Sequence, residues 1–176
     1  MSTILMATDG SPSAEKATGK AIELAQATGW RLHFVTVWSL SSAPFGYPPV
    51  MYAPYTELKQ DNAFDVLRAA VDEARAAGVE ATSELHEGIP VEEICAAAEK
   101  VGAGMIVIGA HGRGLVKRLV LGSVSNGVVH KAPCPVLVVR GAQEAQRLDL
   151  ELVGTASETD RHLSRSVRKR MMVDGR

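Results

Sequence analysis

Apolar residues along this chain fall into short runs separated by stretches of helical periodicity. Residues 3–7, Thr3-Ile4-Leu5-Met6-Ala7, form an apolar run that ends in Thr8-Asp9-Gly10, a turn and helix-start signal. Ala14, Ala17, Ala21, Leu24 and Ala25 then recur at helical spacing, and Gly29 closes the segment. Residues 32–38 are rich in valine and aromatics and predict a buried strand. Residues 39–56 break the pattern: Pro44, Pro48, Pro49 and Pro54, with Gly46, predict a long loop that sustains neither helix nor ladder. A loop of that length in a compact domain is usually functional or mobile.

Periodicity returns with Leu67, Ala70, Val71, Ala74 and Ala77, a helical stripe ending at Gly78. Residues 79–85 predict a weaker strand. Pro90 opens a further helix, with Glu92 and Glu93 in the first turn, where the helix dipole favours carboxylates, and Val91, Ile94, Ala98 and Val101 on its buried face. Residues 105–108 are a wholly apolar strand, 109–122 a glycine-punctuated loop, 123–131 a short helix and 136–139 a last strand. The order is β-α-β-α-β-α-β-α-β. Strands apolar on both faces, alternating with helices, imply a parallel sheet covered on both sides. Right-handed crossovers make it doubly wound. The expected fold is therefore α/β: a single doubly wound five-stranded parallel sheet, Rossmann-like, with strand order 3-2-1-4-5 if its two halves wind outward in opposite directions.

Composition narrows the class. A chain of 176 residues with 46% apolar and 22% charged residues is an ordinary globular mixture, large enough for a sizeable core. With only 5% aromatics, that core must be built from aliphatic side chains. A net charge of -1 gives no pull toward nucleic acid or a membrane. Cys95 and Cys134 have no metal-ligand spacing, and they are expected to be reduced thiols. Asp9 interrupts the first apolar run, which argues against a signal peptide, and no run approaches the ~20 apolar residues of a membrane span. The expected location is the cytoplasm.

An open doubly wound sheet binds ligands beyond the carboxyl ends of its strands, where the strand order reverses. Here that places Thr8-Asp9-Gly10-Ser11 opposite Gly109-Ala110-His111-Gly112-Arg113-Gly114, the two most distinctive turns of the chain. Gly109, Gly112, Gly114 and Gly122 give a backbone able to present N–H groups to an anion. Gly122-Ser123 opens a helix whose N-terminus suits phosphate, and Ser123 and Ser125 add hydroxyls. Asp9 accepts only, and fits ribose hydroxyls or a phosphate-bound cation. The same glycines also fit a reading as plain turns, with Ser123 as a helix cap. Two familiar motifs fail. Gly19-Lys20 lacks the first P-loop glycine, since Ala14 stands there, and Lys117 occupies the third glycine position of a dinucleotide fingerprint.

The spacing Gly109-x2-Gly112-x9-Gly122-Ser123 resembles the ATP-binding signature of the universal stress protein family. Ile4-Leu5-Met6-Ala7-Thr8-Asp9-Gly10-Ser11, Leu121-Gly122-Ser123-Val124-Ser125 and Ala132-Pro133-Cys134-Pro135-Val136 extend the resemblance across residues 1–141. The resemblance implies an ATP site formed by Ala7, Thr8, Asp9, Val37, Gly109, Gly112, Arg113, Gly122, Ser123, Val124 and Ser125. Asp9 would meet ribose or a phosphate-bound Mg2+, Val37 would meet adenine through its backbone, and Gly109 would lie near the ribose. Gly112, Gly122, Ser123 and Ser125 would hold the phosphates. Ala110 stands where the family commonly has serine, and Ala7 where proline sometimes occurs; neither removes a backbone donor. The family also implies a homodimer through the last strand, Val136–Val139, an exposed apolar edge in a monomer.

Other residues carry less. His111 has no evident nucleophile or orienting carboxylate beside it. Arg113, Lys117 and Arg118 fit phosphate contacts or a solvated face equally, and Leu85-His86-Glu87-Gly88 lacks a second histidine for a metal pair. Three readings compete: a nucleotide-dependent stress-response regulator recognised by a protein partner, a slow ATPase or phosphoryl-transfer enzyme, and a partner-binding module with a vacant site. The regulator leads, because no P-loop lysine, arginine finger or water-orienting residue can be named. Residues 142–176, with seven basic and six acidic side chains, lie outside the resemblance and are expected to be a flexible tail or a loosely docked helix.

Overall fold

The computed structural model describes residues 2–39, 52–112 and 121–140, residues 52–59 by their helical backbone alone. Pro44, Gly46, Pro48 and Pro49 of the expected loop lie outside the described residues, as do Arg113, Gly114, Lys117, Arg118 and the tail 142–176. Five strands, β1 (Thr3–Ala7), β2 (Arg31–Trp38), β3 (Ala81–Glu87), β4 (Ala103–Gly109) and β5 (Val136–Val139), alternate with α1 (Pro12–Thr28), α2 (Tyr52–Ala76), α3 (Pro90–Val101) and α4 (Ser123–Lys131). The sheet is parallel throughout, in the order β3-β2-β1-β4-β5. This is the doubly wound fold expected from the alternation.

The winding follows from which side each strand residue faces. Ile4, Met6, Leu32, Phe34 and Val107 form one core with Ala17, Ala21 and Ala25 of α1 and Leu67, Val71 and Ala74 of α2. Leu5, Ala7, Val35, Ile106 and Ile108 form the other with Ile94, Ala97 and Ala98 of α3 and Val128 of α4. Successive strand residues thus serve opposite layers, as the period of two requires. Small residues let the helices approach closely: a Cβ at Gly127 would stand 2.6 Å from a methyl of Val91, so α4 rests directly on α3.

Helix ends obey local rules. Ser11 caps α1 by accepting from the Ala14 N–H, and Pro12 sits at the first helical position. Gly29 and Gly102 close α1 and α3 in the left-handed conformation (φ 71° and 60°) that residues with a Cβ resist. Two expectations shift. Residues 52–56, expected to be loop, form the first turns of α2; Pro54 is third in that helix, where its missing N–H would have no intrahelical partner. β3 begins at Ala81 and runs to Glu87, two residues beyond the expected strand end, because Thr36, Val37 and Trp38 continue the ladder with Leu85, His86 and Glu87. Val79 instead belongs to the turn and buries itself in the α1/α2 layer. Among the described residues no helix is long and apolar enough to cross a membrane.

Candidate functional site

β1 and β4 lie side by side, yet their chains leave toward opposite edges of the sheet, so their carboxyl ends border a crevice. A cavity of about 580 Å³ occupies it, within the size range of small-molecule sites. Ala7, Thr8, Asp9, Val37, Gly109, Gly112, Gly122, Ser123, Val124 and Ser125 all line this cavity. They are ten of the eleven site residues expected from sequence; the eleventh, Arg113, lies outside the described residues.

The turn after β1 is rigid. The Thr8 N–H donates to the Val35 carbonyl (2.9 Å), and Thr36 Oγ1 donates to the Thr8 carbonyl (2.8 Å). Gly10 has φ 71°, and Asp9 Oδ1 accepts the Ser11 N–H (3.0 Å), an Asx-turn that fixes the carboxylate at the strand end.

The turn after β4 crosses that one at contact distance. A Cβ at Gly109 would stand 2.9 Å from the Ser13 carbonyl carbon and oxygen, and one at Gly112 would stand 2.7 Å from Asp9 Oδ2. Gly109 is therefore required by close approach to backbone, whereas the neighbour of Gly112 is the end of the Asp9 side chain. The His111 N–H reaches Ser13 Oγ (3.3 Å), and Ser11 Oγ donates to the His111 carbonyl (3.4 Å), so α1's first turn and the glycine loop brace each other. His111 itself lines the cavity, held there through its backbone.

The far end of the glycine loop is pinned where it starts. The Gly122 N–H donates to the Ala110 carbonyl (2.8 Å), and buried Ser125 Oγ donates to the same carbonyl (2.8 Å) while lying 3.0 Å from that of Gly122. With Ser125's proton so engaged, donation to an anion falls to Ser123, which is exposed, and to the first N–H groups of α4. Those N–H groups have no intrahelical partner, and the N-cap Gly122 supplies no side-chain cap. A positive helix end thus opens on the cavity beside a carboxylate, a cradle suited to phosphate and to a cation carried with it.

The remaining lining is mainly apolar. Val35, Trp38, Ala63, Pro90, Ile94 and Ile108 contribute to it, with Thr36, Ser39 and Asn62. Sequence reasoning missed these residues because strand and helix positions of this kind read as core. No group of three or more His, Cys, Asp or Glu able to hold a metal exists among the described residues. Among the described residues that line the cavity, Asp9 is the one carboxylate, which suits a cation that arrives with a ligand's own oxygens.

A model of the universal stress protein family matches residues 1–140. The chain belongs to this family. A universal stress protein of Methanocaldococcus jannaschii is 34% identical over 139 residues, 78% of this chain and 81% of that protein. Among solved structures, the universal stress protein UspA of Lactobacillus plantarum aligns with a TM-score of 0.69 at 28% identity, covering 79% of this chain and 97% of that one. A universal stress protein from Archaeoglobus fulgidus, solved in complex with dAMP, aligns with a TM-score of 0.56 at 27% identity, covering 79% of this chain and 97% of that one. Family members of this fold thus include one holding an adenine nucleotide.

Proposed function

We propose that this chain is an ATP-binding regulator of the cytoplasm, with the nucleotide held in the crevice between β1 and β4. The observation that carries the reading is the convergence of Asp9, the close-packed glycines and the uncapped end of α4 on one cavity. In this arrangement the apolar lining takes adenine, with the Val37 backbone supplying polar contacts, and Gly109 lies by the ribose. Gly112, Ser123 and the N–H groups of Ser123 and Val124 face the phosphates, with Arg113 as a further donor. Gly122 and Ser125 hold the loop that presents them. Asp9 receives either a ribose hydroxyl or Mg2+ bound to the phosphates. The A. fulgidus relative with dAMP supports an adenine nucleotide as the ligand class.

Regulation, in this reading, is a population shift: nucleotide occupancy stabilises one arrangement of the loop, and a protein partner distinguishes it from the empty one. A second copy is expected at β5, since Val136–Val139 form a half-buried apolar strand at the sheet edge with one side unpaired among the described residues. The test is equilibrium binding of labelled ATP with and without Mg2+, with unlabelled AMP as competitor. Saturable, Mg2+-strengthened binding is expected; no saturable binding sinks the reading. AMP competing as well as ATP would move the proposal from triphosphate to monophosphate.

A further inference from the structure

Beyond the glycine turns, a cluster of titratable side chains ties the edge strand to α3. His86 Nδ1 lies 2.9 Å from Glu93 Oε2, and His86 Nε2 lies 3.1 Å from Glu84 Oε2. An ionised carboxylate only accepts, and a neutral imidazole carries one N–H. A neutral ring therefore leaves one of these contacts with two acceptors facing each other. Only the imidazolium, with a proton on each nitrogen, satisfies both.

The surrounding charges agree. Lys100 Nζ donates to both oxygens of Glu84 (2.9 and 3.0 Å), and this bond, with the one to His86, holds the Glu84 pKa down. From β2, His33 faces the cluster with Nδ1 on Thr82 Oγ1 (2.8 Å) and Nε2 4.0 Å from Glu84. Burial lowers the His33 pKa, so this ring adds no positive charge near neutrality. Burial also opposes charge on His86, but the hydrogen bonds to Glu93 and Glu84 outweigh it and raise its pKa above 6.5.

The cluster abuts the cavity. Glu93 lies in the first turn of α3, where Pro90 and Ile94 line the cavity wall. Gly88 makes room for it: φ is 153°, and a Cβ there would stand 2.7 Å from Glu93 Oε1 and 2.9 Å from its Cγ. The Gly88 N–H in turn donates to the carbonyl of Trp38, another wall residue (3.1 Å).

We propose that His86 is a proton-controlled clamp on the cavity wall. As the imidazolium it ties the end of β3 to the first turn of α3; losing a proton, it releases one carboxylate and loosens the wall formed by Trp38, Pro90 and Ile94. Proton uptake at His86 and occupancy of the cavity then favour each other, a coupling that is reciprocal by linkage. The coupling rests on the proposed nucleotide reading; the clamp does not. His86 is a positioning residue, acting through α3 rather than by touching the ligand.

The experiment is an NMR titration of the His86 ring in the full chain, assigned against His86→Gln, followed by ATP affinity across about pH 6 to pH 8. The expected ring pKa lies above the ordinary value and rises further with ATP. Wild-type affinity is expected to fall roughly fivefold more than that of His86→Gln over this range, the low end of usual site-to-site coupling. The difference between the two proteins cancels the titration of ATP itself. A His86 pKa at or below its ordinary value overturns the clamp, even if His86→Gln proves unable to fold. Binding with coincident pH profiles in the two proteins overturns the coupling. Absence of ATP binding at every pH overturns the coupling together with the nucleotide reading, and leaves the ring titration to judge the clamp.

Discussion

The cavity has two walls built by opposite means. On one side the glycine turn meets the Asp9 turn and α1 at van der Waals distance, with Gly109 against the Ser13 backbone and Gly112 against Asp9. On the other, β3 and α3 are joined across a gap by His86 and Glu93. The first wall is fixed by sterics and by hydrogen bonds between backbone groups and serine hydroxyls, neither of which changes with pH in the physiological range. The second depends on a proton. Geometry that must not vary is set by missing side chains, and geometry that is free to respond is set by titratable ones.

The largest effect is expected where the steric wall is broken. Gly109→Val pushes a branched side chain into the Ser13 backbone, which has no flexible end to yield. A loss of about 1–3 kcal/mol is expected, the usual range for overpacking, read as a lower Tm together with lost ATP binding. An unchanged Tm would show that the two turns are not in contact as described. Gly112→Ala is the finer probe, because its Cβ meets the carboxylate of Asp9, which can swing aside. Stability is expected to change by less than about 0.5 kcal/mol, while ATP affinity drops about tenfold, the equivalent of ~1.4 kcal/mol, as measured by calorimetry. A matching loss in Asp9→Ala, with no further loss in the double variant, would assign the effect to the carboxylate.

The ionic wall should respond to pH instead. The pKa of His86 is raised on folding, so its stabilisation is complete below the unfolded value near 6.5 and disappears as pH rises through the folded value. That of Glu84 is lowered, so its contribution is present above the unfolded value near 4.5 and disappears as pH falls through the folded one. The Tm difference between wild type and His86→Gln should therefore be greatest between those two values and shrink toward alkaline pH. A difference that grows with pH would reverse the assigned charge of the ring. Smallest of all is Lys100→Met: its ammonium is largely solvated, and such pairs contribute ~0–1 kcal/mol. A shifted His86 titration with Tm unchanged within experimental error is the expected signature.

The same contrast separates what the sequence makes legible from what it hides. The parallel sheet covered on both sides follows from apolar strands that alternate with helices. The steric wall is legible because glycines clustered in the turn after a strand point to backbone held close to something else. The ionic wall is not legible. Glu84 and His86 stand two apart in a strand that reads as weak, and their partner Glu93 reads as a dipole-favoured residue of a helix start. What unites them is the register of β3 on β2 and the seat of α3, both tertiary facts. The start of α2 is hidden for the reverse reason: Pro54 reads as a breaker, though three residues into a helix it breaks nothing. Trp38 and Ile94 are hidden because a residue lining a cavity and one filling a core obey the same pattern.

A pair of hydrogen bonds fastens the Gly122 N–H and Ser125 Oγ to the Ala110 carbonyl. They bring Ala110 and Gly122 together above β4, so α4 begins directly over the end of the strand that precedes it. The fold thus moors the start of α4 to the end of β4 with two bonds, one of them from a serine hydroxyl that a single substitution would remove.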